Sequence, residues 1–137
     1  MGLDMYLTGD RYAPSHGDNE RDIVDGYEVE SVRLKLGYWR KHCALHNFIV
    51  DRFADGEDNC LPIELSAEKL REIAKAVEDG KLVDPDAFSA DGMDHYKSVY
   101  EYHREPEQVR ETVDMLRNAA KWVDGGDWNT VEYQASW

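Results

Sequence analysis

The stretch GLDMYLT at residues 2–8 alternates between apolar and polar side chains, and this alternation decides the fold class. Leu3, Met5 and Leu7 fall on one face of an extended chain, while the residues between them fall on the other. A period of two is typical of a strand that is covered on one side. The last residues, 130–137, alternate in the same way. We therefore predict that both ends of the chain are strands and that they pair in one sheet.

Between the two ends the pattern changes from strand to helix. Alternation resumes at 27–36, with Val32, Leu34 and Leu36 expected on the inner face. Helical spacing of apolar residues then predicts three helices, at about 38–54, at 66–80 with Ser66 as the N-cap, and at 106–125 with Pro106 in the first turn. Residues 81–104 favour no single element. The prediction is an α+β domain in which a small sheet of about three strands packs against about three helices.

Composition bounds the class of protein. The chain has 137 residues, with 29 Asp and Glu against 16 Lys and Arg and a net charge of −13, which disfavours non-specific binding to nucleic acid or anionic membranes. Two cysteines form no disulfide framework, and no apolar run approaches the ~18 residues of a membrane span. We expect one cytoplasmic domain over residues 1–137, with a long acidic loop at 9–26 and no cofactor.

One stretch of the sequence has the opposite charge. Residues 31–41 carry no acid and four bases, which are Arg33, Lys35, Arg40 and Lys41. The predicted helix begins inside this stretch, and a helix N-terminus favours anions, so cations placed there need a carboxylate or a bound anion beside them. Tyr38 and Trp39 add flat rings. Two interpretations stay open: pairing with the chain's own acids, or a site for an anionic, nucleotide-like ligand.

Histidines and a polar strand face supply further candidates. His42 and His46 have the spacing of a helical zinc pair, but no third ligand is marked, so no metal site is predicted. His46 is expected to be hydrogen-bonded and partly buried, with a ligand-contacting or catalytic role as the alternative. Asp4 and Tyr6 either line a pocket or serve the sheet edge. His46 with Asp4 or another carboxylate is the acid–base pair of a hypothetical small hydrolase.

The two stretches Gly2–Leu7 and Gly37–Lys41, together with His46 and the terminal Trp137, resemble a family of short proteins from phages, prophages and bacteria. The resemblance covers both ends of the chain and the central helix. Cys43 departs from it, because the family usually has Asn there. The family has no known activity to transfer. The resemblance implies a phage or prophage setting.

Three functional hypotheses follow. The first is a phage-type accessory protein that binds a small anionic, nucleotide-derived ligand and sequesters it from a host defence; its candidate residues are Asp4, Tyr6, Tyr38, Trp39, Arg40, Lys41 and His46. The second is an acidic inhibitor of another protein or a mimic of nucleic acid. The third is the small hydrolase. We expect binding rather than catalysis, no direct contact with nucleic acid or membrane, and self-association through edges offered by the terminal strands.

Overall fold

The computed structural model describes residues 2–13, 22–82 and 101–137. The elements in this part of the chain are β1 (Asp4–Tyr12), β2 (Ile23–Val24), β3 (Tyr27–Glu28), β4 (Ser31–Arg40), α1 (Cys43–Phe53), β5 (Ile63–Glu64), α2 (Ala67–Glu78), α3 (Pro106–Asp124) and β6 (Asn129–Ser136). Residues 101–104 are also helical and precede α3. The predicted α+β class is confirmed.

Four strands form an antiparallel sheet in the order β4-β1-β6-β5. The predicted pairing of the two chain ends is confirmed, since Met5 lies opposite Ala135 and Leu7 opposite Tyr133. Both terminal strands are interior strands, because each has a neighbour on either side. The expectation that they offer free edges was therefore wrong. The edges of this sheet belong to β4 and β5.

The helices cover one face of the sheet, and no helix of the described residues lies on the other, which is called the open face here. Met5, Leu7 and Tyr133 are at most 1% exposed and join the apolar residues of α2 and α3 in one core. Side chains alternate along a strand, so the residues between them face away from the helices. Tyr6 and Tyr38 lie on that open face and are 40% and 37% exposed.

The strand β4 ends later than we predicted. It continues through Gly37 to Arg40, so the expected strand-to-helix junction at Gly37 was wrong. The chain turns at Lys41, whose φ is 55°, and α1 begins at Cys43 with His42 as its N-cap. The backbone of this segment pairs with β1, and that ladder outweighs the helical spacing of the side chains.

Alternation along β4 predicts the face of each residue but not its burial. Leu34 lies opposite Gly9, which packs against Trp122 on the helical side, so Leu34 belongs to the covered face. It is nevertheless 37% exposed, and Val32 on the same face is 40% exposed. The expected inner face of Val32 and Leu34 is confirmed, although both side chains remain partly exposed there. Leu36 is only partly buried and lies at a bulge in the ladder with β1.

Two other boundaries differ from the prediction. β1 continues to Tyr12 and residues 23–28 form the β2–β3 hairpin, so the predicted loop at 9–26 was wrong at both ends. Residues 14–21 lie outside the described part of the chain. At the C-terminus, Trp137 follows β6, and its ring centroid lies 6.3 Å from that of the buried His46, although the side chain remains 47% exposed.

The second and third predicted helices are confirmed. Ser66 caps α2 by accepting a hydrogen bond from the Lys69 N–H, and Gly80 follows the helix with a φ of 68°. Pro106 begins α3, and Gly125 is its C-cap. None of the helices in the described ranges is both long and apolar enough to cross a membrane.

Candidate functional site

The open face of the sheet brings together four of the predicted site residues. In the β1–β4 ladder Asp4 lies opposite Arg40, and Tyr6 lies opposite Tyr38. Directly opposite residues of an antiparallel pair share a face and contact one another. The four side chains therefore form a continuous cluster, which the sequence separates by more than thirty positions.

Tyr38 is the centre of this cluster. Its hydroxyl donates a hydrogen bond of 2.5 Å to Asp4 Oδ1, and its ring centroid lies 5.5 Å from that of Tyr6. The Lys35 ammonium lies 5.0 Å from the Tyr38 ring centroid, which is a cation–π distance. The hydrogen bond to Asp4 raises the pKa of Tyr38, because it stabilises the protonated phenol next to a carboxylate. The ring is thus fixed in place with its proton retained.

A groove of about 400 Å³ adjoins Tyr6. Its lining combines an aromatic ring, two cations, an amide and smaller groups, from Tyr6, Thr8, Arg33, Leu34, Lys35 and Gln134. The volume lies within the range of small-molecule sites. The Arg33 guanidinium contacts the Glu132 carboxylate at 3.2 Å, and both groups are solvent-accessible. The groove therefore offers a stacking surface and positive charge side by side.

Arg40 and Lys41 lie at the far end of the cluster, beside Gly2. A β-carbon at Gly2 would lie 3.5 Å from Arg40 Nη2 and 3.6 Å from Lys41 Cε. The Lys41 N–H donates to the carbonyl of Leu3 at 2.7 Å, so the turn after β4 is held against the chain's N-terminal segment. Arg40 is the last residue of β4 and Lys41 is in the turn after it, so neither residue lies in the first turn of α1, on which the predicted anion site depended.

Trp39 is separated from its neighbour Tyr38 by the sheet. It is 4% exposed, and its indole N–H donates to Thr112 Oγ1 on α3 at 3.0 Å. Alternation along β4 sends one ring into the core and the other to the open face. Trp39 is a core residue, and the expectation of two adjacent stacking rings is not met.

His46 also lies on the covered side of the sheet. It is 5% exposed; Nδ1 lies 2.6 Å from the Tyr133 hydroxyl, and Nε2 lies 2.9 Å from Asp58 Oδ1. The Asp58 carboxylate only accepts, so the Nε2–H of His46 donates to it and Nδ1 accepts from the Tyr133 hydroxyl, whose pKa is raised by burial. The prediction of a hydrogen-bonded His46 is confirmed. Neither partner was predicted, because Asp58 stands in a loop without periodicity.

In the Asp58–His46–Tyr133 network, a carboxylate, an imidazole and a hydroxyl are hydrogen-bonded in sequence, as in an acid–base relay. The space beside them is too small for a substrate. The cavity beside it measures about 10 Å³, which is the space of roughly one water molecule. Asp4 projects from the opposite face of the sheet, since it bonds to Tyr38 there. The predicted pairing of His46 with Asp4 is therefore wrong, and the other carboxylate that the hydrolase hypothesis allowed is Asp58. The network joins α1, the following loop and β6.

His42 forms a second histidine cluster. Its ring stacks on His103 with centroids 4.1 Å apart, its Nδ1 accepts from the Leu45 N–H, and the His103 Nε2–H donates to the carbonyl of Arg40. Burial, and then the neighbouring His103, lowers the pKa of His42 to about 3; burial also lowers the pKa of His103. The rings of His42 and His46 thus contact different partners.

In residues 2–13, 22–82 and 101–137, no three His, Cys, Asp or Glu side chains could hold a metal ion.

The open face combines aromatic, cationic and amide side chains around its groove. Sequence reasoning found its tyrosines but overlooked Gln134, which the alternation of the last strand assigns to the same face as Tyr6. Comparison with protein-family models, curated proteins and solved structures finds no match for the chain. The geometry and charge of the open face are thus the ground on which a function is proposed.

Proposed function

We propose that this chain binds a small anionic ligand of the nucleotide type on the open face of its sheet. One observation carries the proposal: the exposed Tyr6 ring and Lys35 together line a groove of about 400 Å³, and Lys35 also lies above the ring of the neighbouring Tyr38. A base and a phosphate need these two features next to each other, because the base stacks on a ring and the phosphate pairs with a cation.

The tyrosines supply the stacking surface. A base that stacks on an exposed aromatic side chain gains about 1–3 kcal/mol. Tyr38 is held by its hydrogen bond to Asp4, so little side-chain freedom remains to be lost on binding. Tyr6 lies in an interior strand of the sheet, which fixes the position of its backbone.

The basic side chains of β4 supply positive charge for the phosphate. Lys35 and Arg33 both line the groove. Arg40 lies on the same face, two residues beyond Tyr38 along β4. The Arg33–Glu132 pair is exposed, and such pairs contribute little to stability, so a phosphate can take the place of the carboxylate. Residues 31–41 carry no acid, so the acids that face these cations come from the neighbouring strands, with Asp4 opposite Arg40 and Asp10 opposite Arg33.

The acidic residues on the helices give less support to the second hypothesis, an acidic inhibitor or nucleic-acid mimic, than the open face gives to ligand binding. Several exposed acids of the helices pair with arginines and do not form an uninterrupted stripe: Arg52–Glu72, Arg71–Asp124 and Arg117–Glu78. A mimic of nucleic acid needs a continuous row of negative charge. The proposal includes a cytoplasmic setting and, from the resemblance to phage proteins, sequestration of the ligand from a host defence.

A nucleotide panel tests the proposal directly. Thermal melts are recorded with mono-, di- and cyclic nucleotides and ADP-ribose derivatives. A compound present at about 100 times its Kd adds about 2.7 kcal/mol, which raises the Tm by on the order of 10 °C. A panel in which no compound shifts the Tm contradicts the proposal.

Matched variants locate the site. Tyr6→Ala and Lys35→Ala are expected to abolish the shift while the protein remains folded. Lys69→Ala is the control, because the Lys69 ammonium lies 5.6 Å from the Phe53 ring in the same geometry but on the helices. Equal loss in Lys69→Ala would show that the ligand does not occupy the open face.

A further inference from the structure

The outer edge of β4 is a second exposed surface, next to the open face of the sheet. β4 has ten residues and stands at an edge of the four-stranded sheet, with no strand on its outer side among the described residues. All five positions from Ser31 to Lys35 are exposed. An edge strand presents a row of backbone N–H and C=O groups that can pair with a further strand. This half of β4 therefore offers a free edge.

The side chains along this edge divide into two kinds. Arg33 and Lys35 lie on the open face, opposite Asp10 and Thr8 of β1, and Arg33 contacts Glu132 of β6 in an exposed pair that an acid on an added strand has to replace. Val32 and Leu34 lie on the other face and remain 40% and 37% exposed. A strand added here would meet two cations on one side and two apolar side chains on the other, since successive residues alternate.

Charge selects the kind of strand that fits. A second copy aligned antiparallel about Leu34 would place each Arg33 opposite the Lys35 of the other copy. Like charges directly opposite each other destabilise a strand pair, whereas opposite charges stabilise it. The edge therefore disfavours its own copy in this register and favours a strand with acids at the two facing positions.

We propose that the edge of β4 accepts an extended acidic segment of another protein as a fifth strand. The segment alternates acidic residues with β-branched apolar residues, so that the acids face Arg33 and Lys35 and the apolar side chains cover Val32 and Leu34. Backbone hydrogen bonds supply the affinity, and the two facing cations supply the selectivity.

Binding of a labelled peptide tests this inference. The probe is a short capped peptide of alternating Glu and Val, titrated by fluorescence anisotropy. Two comparison peptides replace the Glu residues by Lys or interrupt the Val positions with Pro, which cannot donate to a ladder. The Glu–Val peptide is expected to bind at least about tenfold tighter than either. Amide exchange at residues 31–35 is expected to slow when it binds.

Substitutions separate this surface from the nucleotide groove. Val32→Glu places an acid on the edge and is expected to weaken peptide binding at least about fivefold without changing nucleotide binding. Tyr6→Ala is expected to have the reverse effect. Val24→Glu is the matched control, since Val24 is exposed but lies in β2.

Three results would overturn the inference. Equal binding of the Pro-interrupted peptide shows attraction between charges without a strand ladder. A concentration-dependent dimer in sedimentation, dispersed by Val32→Glu, shows that a second copy occupies the edge. Absence of binding at about 1 mM peptide shows that the edge accepts no acidic strand.

Discussion

The Tyr133 hydroxyl lies 2.6 Å from Nδ1 of His46, and this contact joins β6 to α1 across 87 positions of the sequence. Both side chains are buried, at 1% and 5% exposure. Asp58 occupies the other ring nitrogen, so every polar atom of the imidazole has a partner. Since buried polar groups are costly when unpaired, this network fixes the C-terminal strand against the helices.

Tyr133→Phe is expected to lower the free energy of unfolding by about 1–3 kcal/mol, because it leaves His46 Nδ1 buried without a donor. Urea unfolding measures the loss. Tyr12→Phe is the control, since Tyr12 is 41% exposed, and it is expected to change stability by less than about 0.5 kcal/mol. Similar effects of both substitutions would contradict a stabilising role for the network.

Thr112→Val is expected to destabilise the protein by about 1–3 kcal/mol, because the buried indole N–H of Trp39 loses its acceptor while the side-chain volume is retained. The same change at the exposed Thr130 serves as the control. The two variants are compared by denaturant unfolding. If Thr112→Val were as stable as the wild type, the Trp39–Thr112 bond would make no net contribution to stability.

Gly9→Ala is expected to cost about 1–3 kcal/mol through overpacking. The added β-carbon would lie 2.8 Å from both Leu36 Cδ1 and Trp122 Cζ3, well inside van der Waals contact. Gly2→Ala is the matched control, because its nearest neighbouring atom lies at an ordinary 3.5 Å. Thermal unfolding distinguishes the two; a Tm for Gly9→Ala equal to that of Gly2→Ala would show that Leu36 and Trp122 move aside without cost.

Acid is expected to destabilise the His42–His103 stack. Burial lowers the pKa of His42 to about 3 in the folded state, whereas an unfolded His titrates near 6.5. Between these values the unfolded chain binds the extra proton, so the free energy of unfolding falls as pH drops below about 6.5, by up to about 1.4 kcal/mol per pH unit. Burial also lowers the pKa of His103, which adds in the same direction.

His42→Asn isolates this effect. Asn is a good N-cap and keeps a side-chain acceptor for the Leu45 N–H, but it does not titrate. Unfolding between pH 5 and pH 7 is expected to depend less steeply on pH in the variant than in the wild type. Parallel stability profiles over that range would contradict the lowered pKa of His42.

The candidate site was predictable in its residue types and not in its arrangement. Alternation in the first strand assigns Asp4 and Tyr6 to a polar face, and this assignment does not depend on which strands pair with it. Helical spacing around Tyr38 was misleading, because the same aromatic and apolar residues satisfy a period of two once β1 pairs with them. Lys35 and Gln134 enter the groove through strand register, which depends on residues distant in the chain.

The sequence by itself determined the elements whose signals are local. The alternation near Met5, the Ser66 cap of α2 and the Pro106 start of α3 each specify backbone conformation through neighbouring residues. Only the tertiary structure decided where β4 ends and how deeply its inner-face residues are buried. Those outcomes depend on the ladder with β1 and on the acceptor that Thr112 offers to Trp39, and both partners come from other parts of the chain.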